Sequence, residues 1–266
     1  MALRFVSLFL VSNLLLLTYC EHGYGVRETT DQHQRRMPHM DHMEDPKMGY
    51  VTINDLHVGK TISIHVPTKD PSSLPHFLPR QEADSIPFSV EEYQNLLQIF
   101  SISQDSPQAK AIKNTLEDCE SEQIQEVTKF CATSLESMVD SVRAIFGSQS
   151  PFKALATTAF KKSNTPLQNY TFLQVKEEAT SKTVVCHDLP YPYAVFYCHD
   201  LQGGTKVFEV SVGGEHGEKA TAFFICHMDT SSFAPDHISF RVLGIKPGTS
   251  PVCHYIFPDG LLWVRS

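Results

Sequence analysis

Four Cys-His dipeptides are the residues of this chain whose types and spacing could do chemistry: Cys186-His187, Cys198-His199, Cys226-His227 and Cys253-His254. They are separated by 10, 26 and 25 residues, and each closes an apolar run, as in Val195-Phe196-Tyr197-Cys198-His199. One such dipeptide carries no information; four of them at the ends of strand-like runs do. Thiolate and imidazole together suit zinc, whereas oxidation of the cysteines leaves imidazole as the ligand and suits copper or zinc. Neighbouring residues on a strand point to opposite faces, so an extended Cys-His cannot bring both groups to one site. The cysteines could then pair on one face while the rings gather on the other, except where a bulge intervenes. The competing reading is four histidines that each satisfy local backbone groups.

The redox compartment decides between these chemistries, and the N-terminus speaks to it. Arg4 provides a positive charge ahead of an apolar run from Phe5 to Leu17, broken by Ser7, Ser12 and Asn13, with a Thr18-Tyr19-Cys20 junction after it. That pattern reads as a secretory signal over residues 1–20, too short for a membrane anchor, with no membrane association after its removal. Of seven cysteines in the chain, cleavage at or just after Cys20 leaves Cys119, Cys131, Cys186, Cys198, Cys226 and Cys253. An even count in an exported chain implies a disulfide framework. Many connectivities are open; the reading taken is Cys119 with Cys131, bridging two helices, and the other four among themselves.

Residues 21–49 read as a disordered His- and Met-rich linker, since they contain almost no branched aliphatic side chain with which to build a core. Met37, Met40 and Met43 recur every third residue, with His39 and His42 between them and Met48 beyond. Thioether and imidazole suit Cu(I), although most such tracts are only linkers.

The elements that must position the dipeptides begin near Tyr50. Tyr50–Ile53 and Thr61–Val66 read as strands around a Val58-Gly59-Lys60 turn. Ser89-Val90-Glu91-Glu92 opens a helix to about Phe100, and Ser106-Pro107 opens a second to about Asp118. A third runs from near Cys131 to Phe146, closed by Gly147. After Ser150 the candidates are strands: 153–160, 170–175, 183–187, 193–199, 206–212, 221–227, 238–242, 252–257 and 261–264. The expected class is α+β with β dominant, a small helical layer over about residues 89–147 followed by an antiparallel multi-strand assembly stapled by disulfides. Residues 50–266 form this domain.

Composition narrows function further. The chain is 41% apolar and carries 22 Lys and Arg against 30 Asp and Glu, a net charge of −8. No basic stripe occurs, which argues against a nucleic-acid partner. No Gly-x-Ser-x-Gly elbow, P-loop or His-Glu-x-x-His is present, so ordinary hydrolase and nucleotide chemistry has no support. Asn169-Tyr170-Thr171 is a glycosylation sequon that an exported chain could use.

With these residues in view the chain resembles the plant BURP-domain family. The spacing of the four dipeptides matches its signature, and Thr52-Ile53-Asn54-Asp55-Leu56-His57-Val58-Gly59-Lys60 is similar to its opening. Two further blocks fit, Phe77 to Phe88 and Lys129 to Met138, as does Pro190-Tyr191-Pro192-Tyr193-Ala194-Val195-Phe196-Tyr197. The arrangement of signal, brief linker and domain resembles the short unknown-seed-protein and microspore-embryo types, without the repeats of the dehydration-responsive or polygalacturonase types. The resemblance implies a secreted or vacuolar plant protein, non-enzymatic, of seed or reproductive development or stress response, with storage-vacuole or cell-wall components as partners. It implies a second reading too, because some members are copper-dependent autocatalytic peptide cyclases in which these histidines are implicated in binding copper. Carried over, the ligand candidates are His187, His199, His227 and His254, and the substrate would be the chain's own N-terminal segment at Tyr24 or Tyr50. The one Trp, Trp263, reads as buried strand.

Overall fold

The computed structural model describes residues 49–65, 75–121, 128–158, 167–200, 204–231 and 233–265. The signal, and the linker apart from Gly49, lie outside the described residues. Eleven strands are described: β1 Val51–Thr52, β2 Thr61–His65, β3 Lys129–Ala132, β4 Phe152–Leu155, β5 Leu167–Glu178, β6 Thr183–Leu189, β7 Val195–Asp200, β8 Thr205–Gly214, β9 Lys219–His227, β10 Val252–Tyr255 and β11 Leu261–Arg265. Five α-helices accompany them: α1 Arg80–Ala83, α2 Tyr93–Ile99, α3 Pro107–Glu120, α4 Leu135–Phe146 and α5 Ile238–Leu243, with a single 3-10 turn at Ile53–Asp55. No helix among the described residues is long and apolar enough to cross a membrane.

The strands form two antiparallel sheets. One has six strands in the order β1-β10-β9-β8-β5-β2, the other five in the order β3-β7-β6-β11-β4. Alternation along each strand sets the packing. On β9, Ala222, Phe224 and Cys226 enter a core with Tyr170, Phe172, Val210 and Tyr255, while Phe223 and Ile225 enter a different one with Val185, Leu262 and Val264 of the five-stranded sheet. The sheets therefore pack face to face through that second core. Val51 and Ile64, from opposite edges of the six-stranded sheet, share the first core, which therefore runs across that sheet from edge to edge. The outer face of the five-stranded sheet is covered by α4, through Met138, Val142 and Phe146 against Val184, Phe196 and Trp263. Helices α1 to α3 pack on Tyr191, Tyr193 and Val195.

The helix starts follow from capping. The Ser106 hydroxyl accepts from the Ala109 N–H at 3.0 Å ahead of Pro107, and the Ser134 hydroxyl accepts from the Ser137 N–H at 3.1 Å. Three expectations are corrected. The third helix does not begin near Cys131: Lys129–Ala132 pairs with β7 as an edge strand, and the helix waits for the Ser134 cap. Cys119–Cys131 consequently ties the end of α3 to a strand, not to another helix. Residues 238–242 are not a strand; the His237 ring accepts from the Ser239 N–H at the helix start and Gly244 closes the turn at φ +66°.

One ion-pair cluster joins the sheets. Glu178, at the end of β5 and with its side chain 7% exposed, accepts from Lys176 at 2.6 Å and from Lys153 of β4 at 2.9 Å. Those bonds, Lys176 first, hold its carboxyl at about 2 against the opposing effect of burial. Because the folded value lies below the ordinary 4.5, its contribution is complete above that ordinary value and fades as pH falls toward 2. Glu178→Gln should cost about 1–2 kcal/mol at neutral pH, a figure lowered for the exposed lysines. Denaturant unfolding at a series of pH values should show the gap between variant and wild type closing on acidification.

Candidate histidine site

Cross-strand register builds the site. Cys186 lies directly opposite Cys198 on β6 and β7, and Cys226 directly opposite Cys253 on β9 and β10. Both pairs are disulfide-bonded, with Cα separations of 4.0 and 3.9 Å, and all four cysteines are buried in the outer cores. Each following histidine turns to the opposite face of its strand. On β6 and β9 that is the face carrying Val185 and Ile225 of the core between the sheets.

The rings meet in two pairs. His187 and His199 stack with centroids 5.7 Å apart and planes 9° from parallel. His227 and His254 stack at 5.6 Å and 20°, and their Nε2 atoms face each other at 3.4 Å. His254 is buried at 2% exposure, whereas His187, His199 and His227 are half-buried. Among the described residues no three His, Cys, Asp or Glu side chains converge as a metal-holding group. The four named histidines are brought together two by two, not at one point. His199 nevertheless lies near enough to act electrostatically on both His227 and His254.

The protonation of the second pair follows from its partners. His254 Nδ1 stands 3.3 Å from the Tyr255 carbonyl, which can only accept, so Nδ1 carries the hydrogen and Nε2 presents its lone pair to His227. Burial is the largest influence on all three inner rings. It takes His199 and His254 down to about 4, and His227 well below its ordinary 6.5, with His254, His199 and His237 adding to the fall at His227. Asp200 partly offsets the effect at His199, and the Tyr255 carbonyl does so at His254. At neutral pH these imidazoles are uncharged, the form in which imidazole ligates metals. Bonds of about 2.0–2.1 Å set two nitrogens about 3.3 Å apart at a tetrahedral angle, and the 3.4 Å gap fits that bite. The donor set, two imidazoles with no carboxylate joining them among the described residues, suits copper or zinc.

Sequence reasoning passes over the surroundings of this pair. Tyr50, one residue before the Val51↔Cys253 pairing, stands across from His254 with its ring centroid 6.1 Å away, edge-on. The same ring lies 6.1 Å from His237, and Phe233 lies 5.3 Å from His227. His237 has no cysteine beside it, and it lies just ahead of the run 238–242 read as strand, which hid its role as a helix cap; the closing Gly244 was the available signal for a helix. Asn169 of the sequon is exposed on β5, accepting from Ser63 at 2.8 Å and donating to Glu215 at 2.9 Å.

These features define a class: a two-sheet, antiparallel, disulfide-stapled protein with histidine pairs behind its cross-strand bridges. Residues 49–265 match the BURP domain model, and the chain belongs to the BURP domain family. It is 39% identical over 278 residues to BURP domain-containing protein BNM2A of Brassica napus, covering 99% of both chains. It is 41% identical over 228 residues to BURP domain protein USPL1 of Arabidopsis thaliana, covering 83% of this chain and 81% of that one. BURP domain protein RD22 of Arabidopsis thaliana is 40% identical over 212 residues, 79% of this chain and 53% of the relative.

If the Cys226–Cys253 bridge sets the ring spacing, Cys226→Ala with Cys253→Ala should shift the His227 and His254 imidazole signals in nuclear magnetic resonance and cost about 2–4 kcal/mol in unfolding. Cys119→Ala with Cys131→Ala should cost a similar amount while leaving those two signals in place.

Proposed function

We propose that this chain is an exported plant protein of the storage vacuole or cell wall, acting in seed or reproductive development by binding, with copper held at the His227–His254 pair. The observation that carries the copper reading is the 3.4 Å approach of two Nε2 atoms between neutral, stacked rings. His187 and His199 form a second, more open pair of the same kind. Export is supported by three disulfides, which persist in oxidising compartments. The seed assignment rests on the family resemblance of a short leader, linker and domain.

A second reading keeps the same site and adds chemistry. Copper supplies one-electron oxidation, and the chain's own part would be to hold a phenol beside it, as in a copper-dependent cyclase acting on its N-terminal segment. Tyr50, edge-on to His254 at 6.1 Å, favours this reading; Tyr24 lies outside the described residues.

Calorimetric titration of the purified exported chain with Cu(II) tests the first reading. His227→Ala and His254→Ala should each weaken binding by at least about 10–100-fold, whereas His216→Ala, on the exposed β8–β9 turn, should bind as wild type does. Unchanged affinity in both pair variants would remove copper from these rings. Peptide masses after copper loading in air separate the two readings: loss of two hydrogens within residues 21–50, abolished by His227→Ala, supports the cyclase, and an unchanged mass supports binding alone.

A further inference from the structure

Neither reading of the histidines uses Asn169-Tyr170-Thr171, the one Asn-x-Ser/Thr sequence in the chain. An oligosaccharide is bulky and strongly hydrated, so such a sequence is usable only where the finished fold leaves its asparagine on open surface. Here the sequence lies within a strand, β5, and not in a loop. Which face of that strand the asparagine takes therefore decides whether the site exists.

Alternation along the strand settles the face. Tyr170 and Phe172 are both 0% exposed in the first core, so Asn169 and Thr171 turn together to the opposite side of β5. There Asn169 is exposed and Thr171 half-buried, and the two groups that define the sequence are presented on one surface. Their cross-strand neighbours are small. Ser63 and Thr61 stand opposite them on β2, the end strand of the six-stranded sheet, while Gly213 stands opposite Thr171 on β8.

The amide itself is oriented from both sides. Asn169 Oδ1 accepts from the Ser63 hydroxyl at 2.8 Å, and Nδ2 donates to Glu215 Oε1 at 2.9 Å. The Thr171 and Thr61 hydroxyls meet at 2.9 Å. An amide nitrogen carries two hydrogens. Replacing one of them by a sugar carbon leaves the other for Glu215 and leaves Oδ1 to Ser63, so the modified side chain fits the fold that surrounds it.

We propose that Asn169 carries an N-linked oligosaccharide, rooted on the polar β2–β5 face of the six-stranded sheet. The bond forms between Nδ2 and the anomeric carbon of an N-acetylglucosamine delivered on a lipid diphosphate. The sugar–phosphate bond breaks, the lipid diphosphate leaves, and Nδ2 gives up one proton; nothing is oxidised or reduced. The modification rests on the export reading above and is independent of copper.

The test uses the full chain with its own leader, expressed in plant cells, and reads its intact mass and peptide map. Wild type should exceed the mass of its polypeptide by one oligosaccharide. Peptide N-glycosidase should remove that excess and convert the Asn169 amide to a carboxylic acid, which marks the position. Asn169→Gln and Thr171→Ala should each lose the excess completely. Thr171→Ser, which keeps both the sequence requirement and a hydroxyl facing Thr61, should retain it. An exported wild-type chain with the mass of its polypeptide alone overturns the proposal, as does an excess that survives in Asn169→Gln. Failure of the export reading is distinguishable, because the chain would then stay inside the cell with residues 1–20 attached; that result overturns both.

Discussion

The site depends on two cysteines meeting head-on across an antiparallel ladder. When Cys226 faces Cys253 and Cys186 faces Cys198, the residue after each cysteine falls two positions from its counterpart along the neighbouring strand. The two histidines are then diagonal neighbours on the face away from the sulfurs, with Cβ atoms within reach of long or aromatic side chains. Leaning toward each other closes the ring centroids to 5.6 and 5.7 Å. A slip of one residue would send every side chain of the strand to the other face. The covalent bridge forbids that slip, so the same bond that staples the sheet also sets the separation of the imidazoles.

Holding rings at that separation is useful only if the face that carries them is itself held in place. Phe223 and Ile225 of β9 bury against Val185, Leu262 and Val264 across the gap, and Lys153 reaches from one sheet to Glu178 on the other. The Thr157 hydroxyl, just beyond β4, donates to the Ile256 carbonyl and accepts from the Phe223 N–H, tying the sheets at a third point. Burying imidazoles disfavours their charged form. The pair is consequently uncharged at neutral pH, and uncharged imidazole offers a lone pair.

Much of this was legible in the sequence because alternation along a strand is a strict rule. Once Cys186-His187 and its three counterparts were read as extended, the division of sulfur from imidazole followed, as did the antiparallel, β-dominant class. The pairing of the rings two by two was not legible, since it depends on which cysteines face each other and on strands distant in sequence. Local capping chemistry outweighed apolar pattern in two places. Lys129–Ala132 pairs as an edge strand because Ser134, not Cys131, offers the N-cap, and Ile238–Leu243 coils because His237 and Gly244 close both of its ends. Short apolar runs carry no period that tells strand from helix.

The two Cys-His units are built alike but finished differently. In the first, β6 and β7 follow each other in sequence, and Tyr197 opposite His187 belongs to β7 itself. In the second, β9 and β10 are separated by α5, and the tyrosine opposite His254 comes from Tyr50, at the very start of the described chain. The second unit is thus complete only when the beginning of the domain has returned to lie beside its end. Within it His254 is buried, its tautomer is fixed by the Tyr255 carbonyl, and its lone pair is aimed at His227. In the first unit both rings are half-buried and stack at 5.7 Å, and the Asp200 backbone bears on His199 as the Tyr255 carbonyl does on His254. A domain that gives its opening strand to one of two similar units controls the environment of that unit from β1 as well as from β9 and β10.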